Sequence, residues 1–337
     1  MPLDRHAQKI VIAGASSLLG NEVKTVLEES QFAGWDLRLV DEELVAGTLT
    51  EAGGEARLIQ AVEEDSFRGA RYAFLTGSAE FAKSCMEPAR GAGATIIDLS
   101  PASVANPGAI PWFPKIEALT GKGIARNAKT FSVFSAGGTA LASLGLALRR
   151  AGLQRMVGVM LQPVSEAGRA GIEELETQTS QLLSFQSVGE QVFGTQAAFN
   201  LLPRFGSESR QDLHGRLLQI RAELSAAIGD ADEDAKIALN LVHAPVFYGL
   251  MFSVCAELDG EKDAMALSEI CKQAGFTMAD AGEAAPSNVS VAGESGPWLR
   301  MPEPDSAGQG SWWFWGAADN LRLPASSAVK LAEWLER

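Results

Sequence analysis

A short apolar segment followed by a glycine-containing turn most strongly constrains the fold of this chain. Residues 9–13 read as a buried strand, residues 14–20 as a turn, and the next apolar residues recur at helical spacing. A second apolar run, residues 37–40, ends in Asp41. Strand, turn, helix, strand and terminal acid form a βαβ unit, in which the helix N-terminus offers free N–H groups to a pyrophosphate.

The acid after the second strand indicates which dinucleotide would bind. Asp41 lies about 20 residues beyond the turn, where a carboxylate is expected to meet a ribose hydroxyl. Glu42 and Glu43 follow it, and no basic residue stands there to meet a 2′-phosphate, so NAD is favoured over NADP. The predicted cofactor residues in this region are Gly14, Ser16, Ser17, Leu18, Leu19, Gly20, Asp41, Thr76 and Gly77.

One residue of the turn departs from the expected pattern. Ser17 stands where a further glycine would let the backbone approach a phosphate closely. A βαβ unit that packs without binding any nucleotide therefore stays an alternative, because the two terminal glycines also serve turn geometry and helix packing.

Length, charge and cysteine content set the class of protein. With 337 residues the chain is long enough for two domains, since single cores stop growing near ~250–300 residues. The formal net charge is −14 and no Lys/Arg stripe offsets it, so nucleic acid is not an expected partner. The three cysteines are widely spaced and predict neither disulfides nor a metal site, which fits the cytoplasm. We expect no signal peptide and no membrane span.

The order of predicted elements indicates two kinds of sheet. Strands alternate with helices over residues 1–135, which is typical of an α/β domain with a doubly wound parallel sheet. Residues 135–139 are then predicted to form a turn that leads into a helix over residues 140–149. Long strands follow, including residues 246–258, and a mixed or antiparallel sheet with helices on one face is the natural α+β interpretation.

Five motifs in a fixed order give the chain a family resemblance. They are Gly14-Ala15-x-x-x-x-Gly20, Ile96-Ile97-Asp98-x-Ser100, Ala198-Phe199-Asn200-x-x-Pro203, Pro245-Val246-Phe247-x-Gly249 and Asp319-Asn320-Leu321-Arg322. The whole chain resembles the aspartate-semialdehyde dehydrogenase family and is most similar to its Usg-type homologues, which lack the catalytic cysteine. The resemblance implies a Rossmann-type domain over residues 1–135, an α+β dimerisation domain over 136–316, and a C-terminal helix, 317–337, that returns to the first domain.

The resemblance also implies a reaction and the residues that would carry it. Family members reversibly convert aspartyl phosphate to the semialdehyde with NADP, through a cysteine thioester. The family nucleophile falls at Gly137 and the family base at Leu250, and neither residue can perform that chemistry. The family's substrate arginine falls at His243, whereas Gln162 is retained near the active-site glutamine and Asn320 near the nicotinamide.

Other family positions change together with the nucleophile. The phosphate-binding arginine falls at Val104, and Arg216 and Gln219 stand where a Glu and a Lys usually orient the substrate. The turn Gly137-Gly138-Thr139 would leave amide N–H groups free for a small anionic metabolite, or would simply be a helix start that tolerates small residues. His243 is either an altered substrate ligand or a histidine held within a sheet.

Three functional hypotheses follow from these observations. The leading hypothesis is a catalytically degenerate family member that forms a homodimer and binds NAD, NADP, a metabolite or no nucleotide at all. The second is a working NAD(P)-dependent oxidoreductase that transfers hydride without a thioester, with Gln162, Asn320 and an unidentified base. The third is an interaction subunit that forms a heteromer with an active paralogue through the second domain.

Overall fold

The secondary structure is given by a computed structural model, which describes residues 8–104, 106–229, 236–280, 282, 284–306, 308 and 310–337. The strands are β1 (Lys9–Ala13), β2 (Asp36–Asp41), β3 (Leu49–Ala52), β4 (Glu55–Leu58), β5 (Gln60–Ala61), β6 (Ala70–Leu75), β7 (Thr95–Asp98), β8 (Ile110–Trp112), β9 (Thr130–Val133), β10 (Leu153–Gln162), β11 (Lys236–His243), β12 (Leu250–Leu258), β13 (Thr277–Met278), β14 (Trp298–Leu299), β15 (Glu303–Pro304) and β16 (Ser311–Ala318). The helices are α1 (Leu18–Glu28), α2 (Ala79–Gly91), α3 (Ile116–Thr120), α4 (Ala136–Arg149), α5 (Gly168–Leu183), α6 (Leu213–Ile228), α7 (Ala264–Gln273) and α8 (Arg322–Leu335).

The chain divides into two compact units. Unit 1 comprises Met1–Pro114, Gly123–Phe134 and Pro324–Arg337. Unit 2 comprises Lys115–Lys122 and Ser135–Leu323. Each unit holds one seven-stranded sheet.

The sheet of unit 1 is parallel throughout. Its strand order is β5-β2-β1-β6-β7-β9-β8, and α1 and α2 supply crossovers. β1 is almost completely buried, as expected for a strand covered on both faces of a parallel sheet. Ala13 pairs with Val40 on one side and Leu75 on the other, so the turn after β1 lies between the carboxyl ends of β2 and β6. The predicted doubly wound parallel sheet is confirmed.

The sheet of unit 2 is mixed. Its order is β11-β10-β12-β16-β14-β13, with β15 paired to β16. β10 runs parallel to β11 and antiparallel to β12, and β12 runs antiparallel to β16. Along β10, β12 and β16 buried and more exposed residues alternate, because one face of the sheet packs inward. The predicted α+β architecture of the second domain is confirmed.

The helices differ in how much of their surface is apolar. α4 is buried along nearly its whole length, whereas α1, α2 and α7 are amphipathic. With 14 residues, α4 spans roughly 21 Å at 1.5 Å per residue. Within the described ranges, no helix has the length and apolar character needed to cross a membrane.

The last helix is fastened to unit 1 by polar contacts. Trp112 donates its indole N–H to the carbonyl oxygen of Ser327 over 2.9 Å. Tyr72 donates its hydroxyl to Glu336 Oε1 over 2.6 Å, and the same oxygen accepts from Arg71 over 2.9 Å. These bonds hold the end of α8 against β6 and β8.

Two predicted element boundaries are wrong. α4 begins at Ala136 and not at residue 140, because Ser135 caps the helix and lets the two glycines enter its first turn. β12 begins at Leu250 and not at residue 246, because Gly249 has φ +86° and breaks the extended conformation. The short strands β14 and β15 and the helix α7 were not predicted from the sequence.

Candidate functional site

The turn between β1 and α1 requires its two glycines. Gly14 has φ +88°, and a Cβ added there would overlap the backbone nitrogen of Gly77. A Cβ on Gly20 would overlap the carbonyl oxygen of Gly14 and lie 2.9 Å from Thr76 Oγ1. Both positions therefore bring α1 and the turn close to the end of β6, as the glycines of a dinucleotide-binding turn do.

Ser17 takes part in the turn through its side chain. Its Oγ accepts the N–H of Gly20 over 2.9 Å and so caps α1. The same hydroxyl lies 2.7 Å from the Gly14 carbonyl oxygen and 3.1 Å from that of Thr76, to which it can donate. The N–H groups of Leu18 and Leu19 have no acceptor within the helix, since they belong to its first turn. They are the backbone donors this turn can offer to a phosphate.

Asp41 lies at the carboxyl end of β2 and is buried. Its Oδ2 accepts the N–H of Ser16 over 2.8 Å, and its Oδ1 accepts the N–H of Glu42 over 2.8 Å. These bonds fix the carboxylate beside the turn and leave it further lone pairs, because each oxygen can accept more than one hydrogen bond. A carboxylate held there can accept from ribose hydroxyls and would repel a 2′-phosphate.

In unit 2, three of the predicted site positions lie in one row of the sheet. Gln162 pairs with His243 in the β10–β11 register. Leu161 pairs with Met251 across β10 and β12, so Leu250 falls in the same row as Gln162. All three residues are buried at one edge of the sheet. The structure therefore brings together the positions that the resemblance assigned to the base, the glutamine and the substrate arginine.

The nucleophile position of the family resemblance is packed by apolar side chains. A Cβ added to Gly137, in the first turn of α4, would lie 3.2 Å from Ile220 Cδ1, 3.3 Å from Leu250 Cδ2 and 3.4 Å from Met160 Sδ. The space next to this residue is thus occupied by hydrocarbon and a thioether. No group that could abstract a proton is among these three neighbours.

Glu223 is a buried acid that the sequence interpretation missed. Its side chain reaches from α6 to the start of α4, where Oε2 accepts the hydroxyl of Ser135 over 2.6 Å and Oε1 accepts the Ser135 N–H over 3.2 Å. Gln219 donates its Nε2–H to Oε1 over 2.9 Å. Burial raises the pKa of the Glu223 carboxyl group, and these hydrogen bonds together with Arg216 act against that rise.

A polar network continues from Glu223 along α6. Arg216 donates to Gln219 Oε1 over 2.6 Å and pairs with Glu166 Oε2 over 2.7 Å. Glu166 Oε1 also lies 3.3 Å from the amide nitrogen of Asn320. Spacings of three and four residues place Arg216, Gln219 and Glu223 on one face of α6, and this was the available sequence signal.

The side-chain amide of Asn320 forms hydrogen bonds within unit 2. Its Oδ1 accepts the N–H of Gly249 over 3.0 Å, and its Nδ2 donates to Ser165 Oγ over 3.0 Å. The residue predicted to lie near a nicotinamide thus holds the loop before β12 against the segment after β10.

His243 lies in an apolar and aromatic environment. Its ring is 5.4 Å from the centroid of Phe193 and 5.5 Å from that of Phe205, and Nε2 lies 3.4 Å from the carbonyl oxygen of Ala197. Nδ1 has no hydrogen-bond partner among the described residues. Burial lowers the pKa of His243, so the imidazole is neutral near pH 7.

The turn predicted at residues 137–139 is the first turn of α4 instead. Gly138 donates its N–H to Ser135 Oγ over 3.1 Å, and Thr139 donates its N–H to the Ser135 carbonyl oxygen over 2.8 Å. Ser135 thus satisfies N–H groups that were expected to be free for a ligand.

The cysteines offer no alternative nucleophile in a reactive environment. Burial raises the pKa of Cys85 to about 11 and that of Cys271 to about 12. Cys255 is partly exposed on β12, and burial raises its pKa as well. In the described ranges no group of three or more His, Cys, Asp or Glu side chains could hold a metal ion.

Comparison with known proteins identifies the family. The model of the semialdehyde dehydrogenase dimerisation domain matches residues 145–323, which is more than half of the chain. The chain belongs to this family. Among sequence relatives, a USG-1 protein homologue from Azotobacter vinelandii is 28% identical over 341 residues, and an aspartate-semialdehyde dehydrogenase from Rickettsia bellii is 26% identical over 334 residues. Each alignment covers 97% of this chain and 97% of the relative.

Solved structures of family enzymes share the fold. Aspartate-semialdehyde dehydrogenase II from Vibrio cholerae, complexed with ASA, superimposes with a TM-score of 0.87 at 24% identity, covering 98% of this chain and 99% of that chain. The enzyme from Candida albicans, solved with NADP, has a TM-score of 0.69 at 12% identity and covers 98% of both chains. The chain is aspartate-semialdehyde dehydrogenase-like in sequence, since the two relatives align with 97% of it, and it shares the fold of the solved enzymes.

Proposed function

We propose that this chain is a non-catalytic member of the aspartate-semialdehyde dehydrogenase family, which binds a dinucleotide and forms a homodimer in the cytoplasm. The observation that carries the proposal is Gly137. A thioester requires a thiolate, and the residue at the assigned nucleophile position has no side chain. Ile220, Leu250 and Met160 fill the space that a side chain would enter.

The loss of a proton acceptor supports the same conclusion. Leu250 stands at the assigned base position and contributes a methyl group to the packing around Gly137. Glu223, whose carboxyl group contacts the start of α4, accepts hydrogen bonds from Ser135 and Gln219. Arg216 is held by Gln219 and Glu166. The polar groups of this region thus serve packing and orientation.

For the cofactor, the turn of unit 1 favours NAD. Gly14 and Gly20 lie against neighbouring backbone with no room for a Cβ, as in a phosphate-binding turn. Asp41 is fixed beside this turn, and Glu42 and Glu43 follow it in the chain. These acids would oppose the extra phosphate of NADP. The preference would differ from that of the Candida albicans enzyme, whose structure contains NADP.

A homodimer is supported by the outward face of the unit 2 sheet. Val157 pairs with Cys255, and Cys255 pairs with Trp313 on the next strand, so these side chains share one face. Val157 is 37% exposed, Val159 39% and Trp313 43%. An apolar sheet face of this kind is typical of an association surface, and the matching family model is a dimerisation domain.

A direct activity assay tests the proposal. We expect no turnover of aspartyl phosphate with NADH or NADPH by the wild type, and none of the semialdehyde with NAD or NADP and phosphate. The Gly137→Cys/Leu250→His double variant is assayed beside the wild type, since it restores the nucleophile and the base that the family resemblance assigns to these two positions. Measurable wild-type turnover would contradict the proposal and favour hydride transfer by an altered mechanism.

Thermal-shift titration tests the cofactor separately. A ligand that binds only the native state raises Tm, and we expect a larger rise with NAD than with NADP. Asp41→Asn is the matched variant and should reduce the preference. An equal rise with both nucleotides would contradict the role of Asp41, and no rise with either would favour a βαβ unit that only packs. Co-purification of a cysteine-containing paralogue would favour a heteromer over a homodimer.

A further inference from the structure

A small cavity lies in unit 1 at the end of α1, away from the dinucleotide-binding turn. Its volume is about 60 Å³. Ile10 and Leu37, which pair with each other near the amino ends of β1 and β2, form part of its wall. The turn follows the carboxyl end of β1, and the nine residues of α1 from Leu18 to Leu27 span roughly 14 Å. The cavity is therefore separate from the turn that would hold a pyrophosphate.

The wall of this cavity is mostly apolar. Phe32 and Trp35 meet edge to face, with ring centroids 4.8 Å apart. The other apolar side chains used here come from α1, the two strands and the β3–β4 hairpin, and they are Leu27, Ile10, Leu37 and Ala52. An apolar cavity of about 150 Å³ accommodates benzene. A cavity of less than half that volume admits a small aliphatic group.

Arg57 brings an incompletely paired guanidinium group to the same wall. Its Nε is buried and has no hydrogen-bond partner among the described residues. Its Nη2 lies 3.8 Å from Glu55 Oε2, and because both side chains are substantially exposed this ion pair is weak. A buried N–H of a charged group costs stability when it lacks an acceptor, and a carboxylate is the strongest acceptor for it. The free Nε–H thus points to a ligand that carries a carboxylate.

Glu28 supplies the opposite charge to this cavity. It is exposed at the end of α1, and its Oε1 accepts the N–H of Gly53 over 2.7 Å. A carboxylate has further lone pairs for an ammonium group, and the carboxyl end of a helix adds partial negative charge. The cavity therefore combines one guanidinium group, one carboxylate and a small apolar space.

We propose that this cavity binds a zwitterionic α-amino acid with a small branched aliphatic side chain, such as valine. The ligand carboxylate accepts from Arg57, its ammonium group donates to Glu28, and its side chain enters the apolar space beside Phe32 and Trp35. Glu28 disfavours a ligand that is only an anion, and Arg57 disfavours one that is only a cation. The site lies within unit 1 and depends neither on dinucleotide binding nor on any activity of unit 2.

Titration of the whole protein with L-valine, followed by NMR, tests the site. The backbone amide resonances of Gly53 and Trp35 report on the cavity, and that of Ser16 reports on the dinucleotide-binding turn. We expect the first two to shift with saturation while Ser16 stays unchanged. A response that remains linear up to about 20 mM valine would overturn the proposal, since weak specific ligands have dissociation constants of about 1 mM.

Three analogues of valine test the parts of the ligand separately. Isovalerate lacks the ammonium group and isobutylamine lacks the carboxylate, and each should bind at least about tenfold more weakly than valine, because each leaves one charged hydrogen bond unmade. L-Phenylalanine carries both charges, but its ring is too large for the cavity, so it should also bind more weakly. Equal binding of isovalerate or isobutylamine would overturn the zwitterion, and equal binding of phenylalanine would overturn the assignment of a small side chain.

Arg57→Gln removes the guanidinium group and should weaken valine binding at least about tenfold. Arg68→Gln is the matched control, because Arg68 has the same 3.8 Å spacing to an exposed carboxylate, that of Asp65, and does not line the cavity. It should bind valine as the wild type does. Arg57→Lys keeps the positive charge without the Nε–H and provides a second variant, which should also bind more weakly. Wild-type affinity in both Arg57 variants, or an equal loss in Arg68→Gln, would overturn the role of Arg57.

Glu28→Gln tests the ammonium end of the site. The amide oxygen can still accept the Gly53 N–H, so the contact between α1 and the hairpin is kept. This variant should bind valine more weakly and isovalerate at least as well as the wild type does. An equal loss of both ligands would overturn the assigned contact, because it would indicate a general change of the cavity.

Discussion

Replacing Gly137 with cysteine measures how tightly the start of α4 is packed. The new Cβ would sit 3.2 to 3.4 Å from Ile220, Leu250 and Met160, which is closer than ordinary van der Waals contact, and the sulfur needs further room. Overpacking of a core costs about 1–3 kcal/mol. The higher helix propensity of cysteine over glycine recovers only roughly 0.3 kcal/mol of stability. We therefore expect Gly137→Cys to lower the free energy of unfolding by about 1–2.5 kcal/mol.

The thiol introduced at position 137 should also be unreactive. Two effects oppose each other, because burial raises a thiol pKa while a helix N-terminus lowers it. In this protein burial raises the pKa of Cys85 to about 11 and that of Cys271 to about 12. A helix dipole contributes at most ~2 kcal/mol, or about 1.5 pKa units, so burial prevails. The thiol would stay protonated at pH 7.

Urea denaturation and thiol titration check both expectations. The urea midpoint should fall without a change in the slope m, and the native protein should react with a thiol reagent no faster than its two buried cysteines. The titration is made in a Cys255→Ser background, because Cys255 is partly exposed. Leu250→Ala removes one of the crowding side chains, so in this background Gly137→Cys should lower the free energy of unfolding by less than in the wild type. Unchanged stability together with rapid labelling would refute the packing argument.

Three shorter predictions concern other residues. Ser17→Ala should lower the free energy of unfolding by about 0.5–2 kcal/mol in urea melts, because the N–H of Gly20 loses its cap; an unchanged midpoint would contradict this role. Burial raises the pKa of Asp98. The protonated side chain therefore contributes fully to stability below the unfolded-state pKa, and this contribution is lost as pH rises through the folded-state pKa. The wild type should lose stability relative to Asp98→Asn from about pH 4 upward, and parallel pH profiles of the two proteins would contradict this. Gly138→Ala should cost more free energy of unfolding in the wild type than in a Glu223→Ala background, because the new methyl group meets the Glu223 carboxyl group. If the two substitutions had additive costs in a double-mutant cycle, this contact would be excluded.

Local sequence signals were sufficient for the sheets of both units. The apolar segment before Gly14 has the length of a buried strand, and the acid at Asp41 marks the end of the next strand. The long strands predicted in the second half, such as residues 246–258, indicated a mixed or antiparallel sheet. These features depend on neighbours in the chain, which a sequence displays directly.

Long-range packing accounts for what was missed. The start of α4 was placed four residues too late because glycines usually disfavour helix, and the cap from Ser135 and the carboxyl group of Glu223 offset that tendency. Glu223 lies 88 residues from Ser135, so its role could not be inferred from local spacing. The start of β12 was misplaced because Gly249 adopts a left-handed conformation against Asn288.

The apolar neighbours of Gly137 also bear on the proposal that this chain is non-catalytic, because they determine what a new side chain at this position would contact. A change of Gly137 to Cys alone would place a thiol among Ile220, Leu250 and Met160, where we expect it to gain no activity and to cost stability. Selection would therefore act against the first step unless the surrounding side chains had already shrunk or become polar. The packing around Gly137 thus makes the order of substitutions important, because a cysteine would be tolerated only after its neighbours had changed.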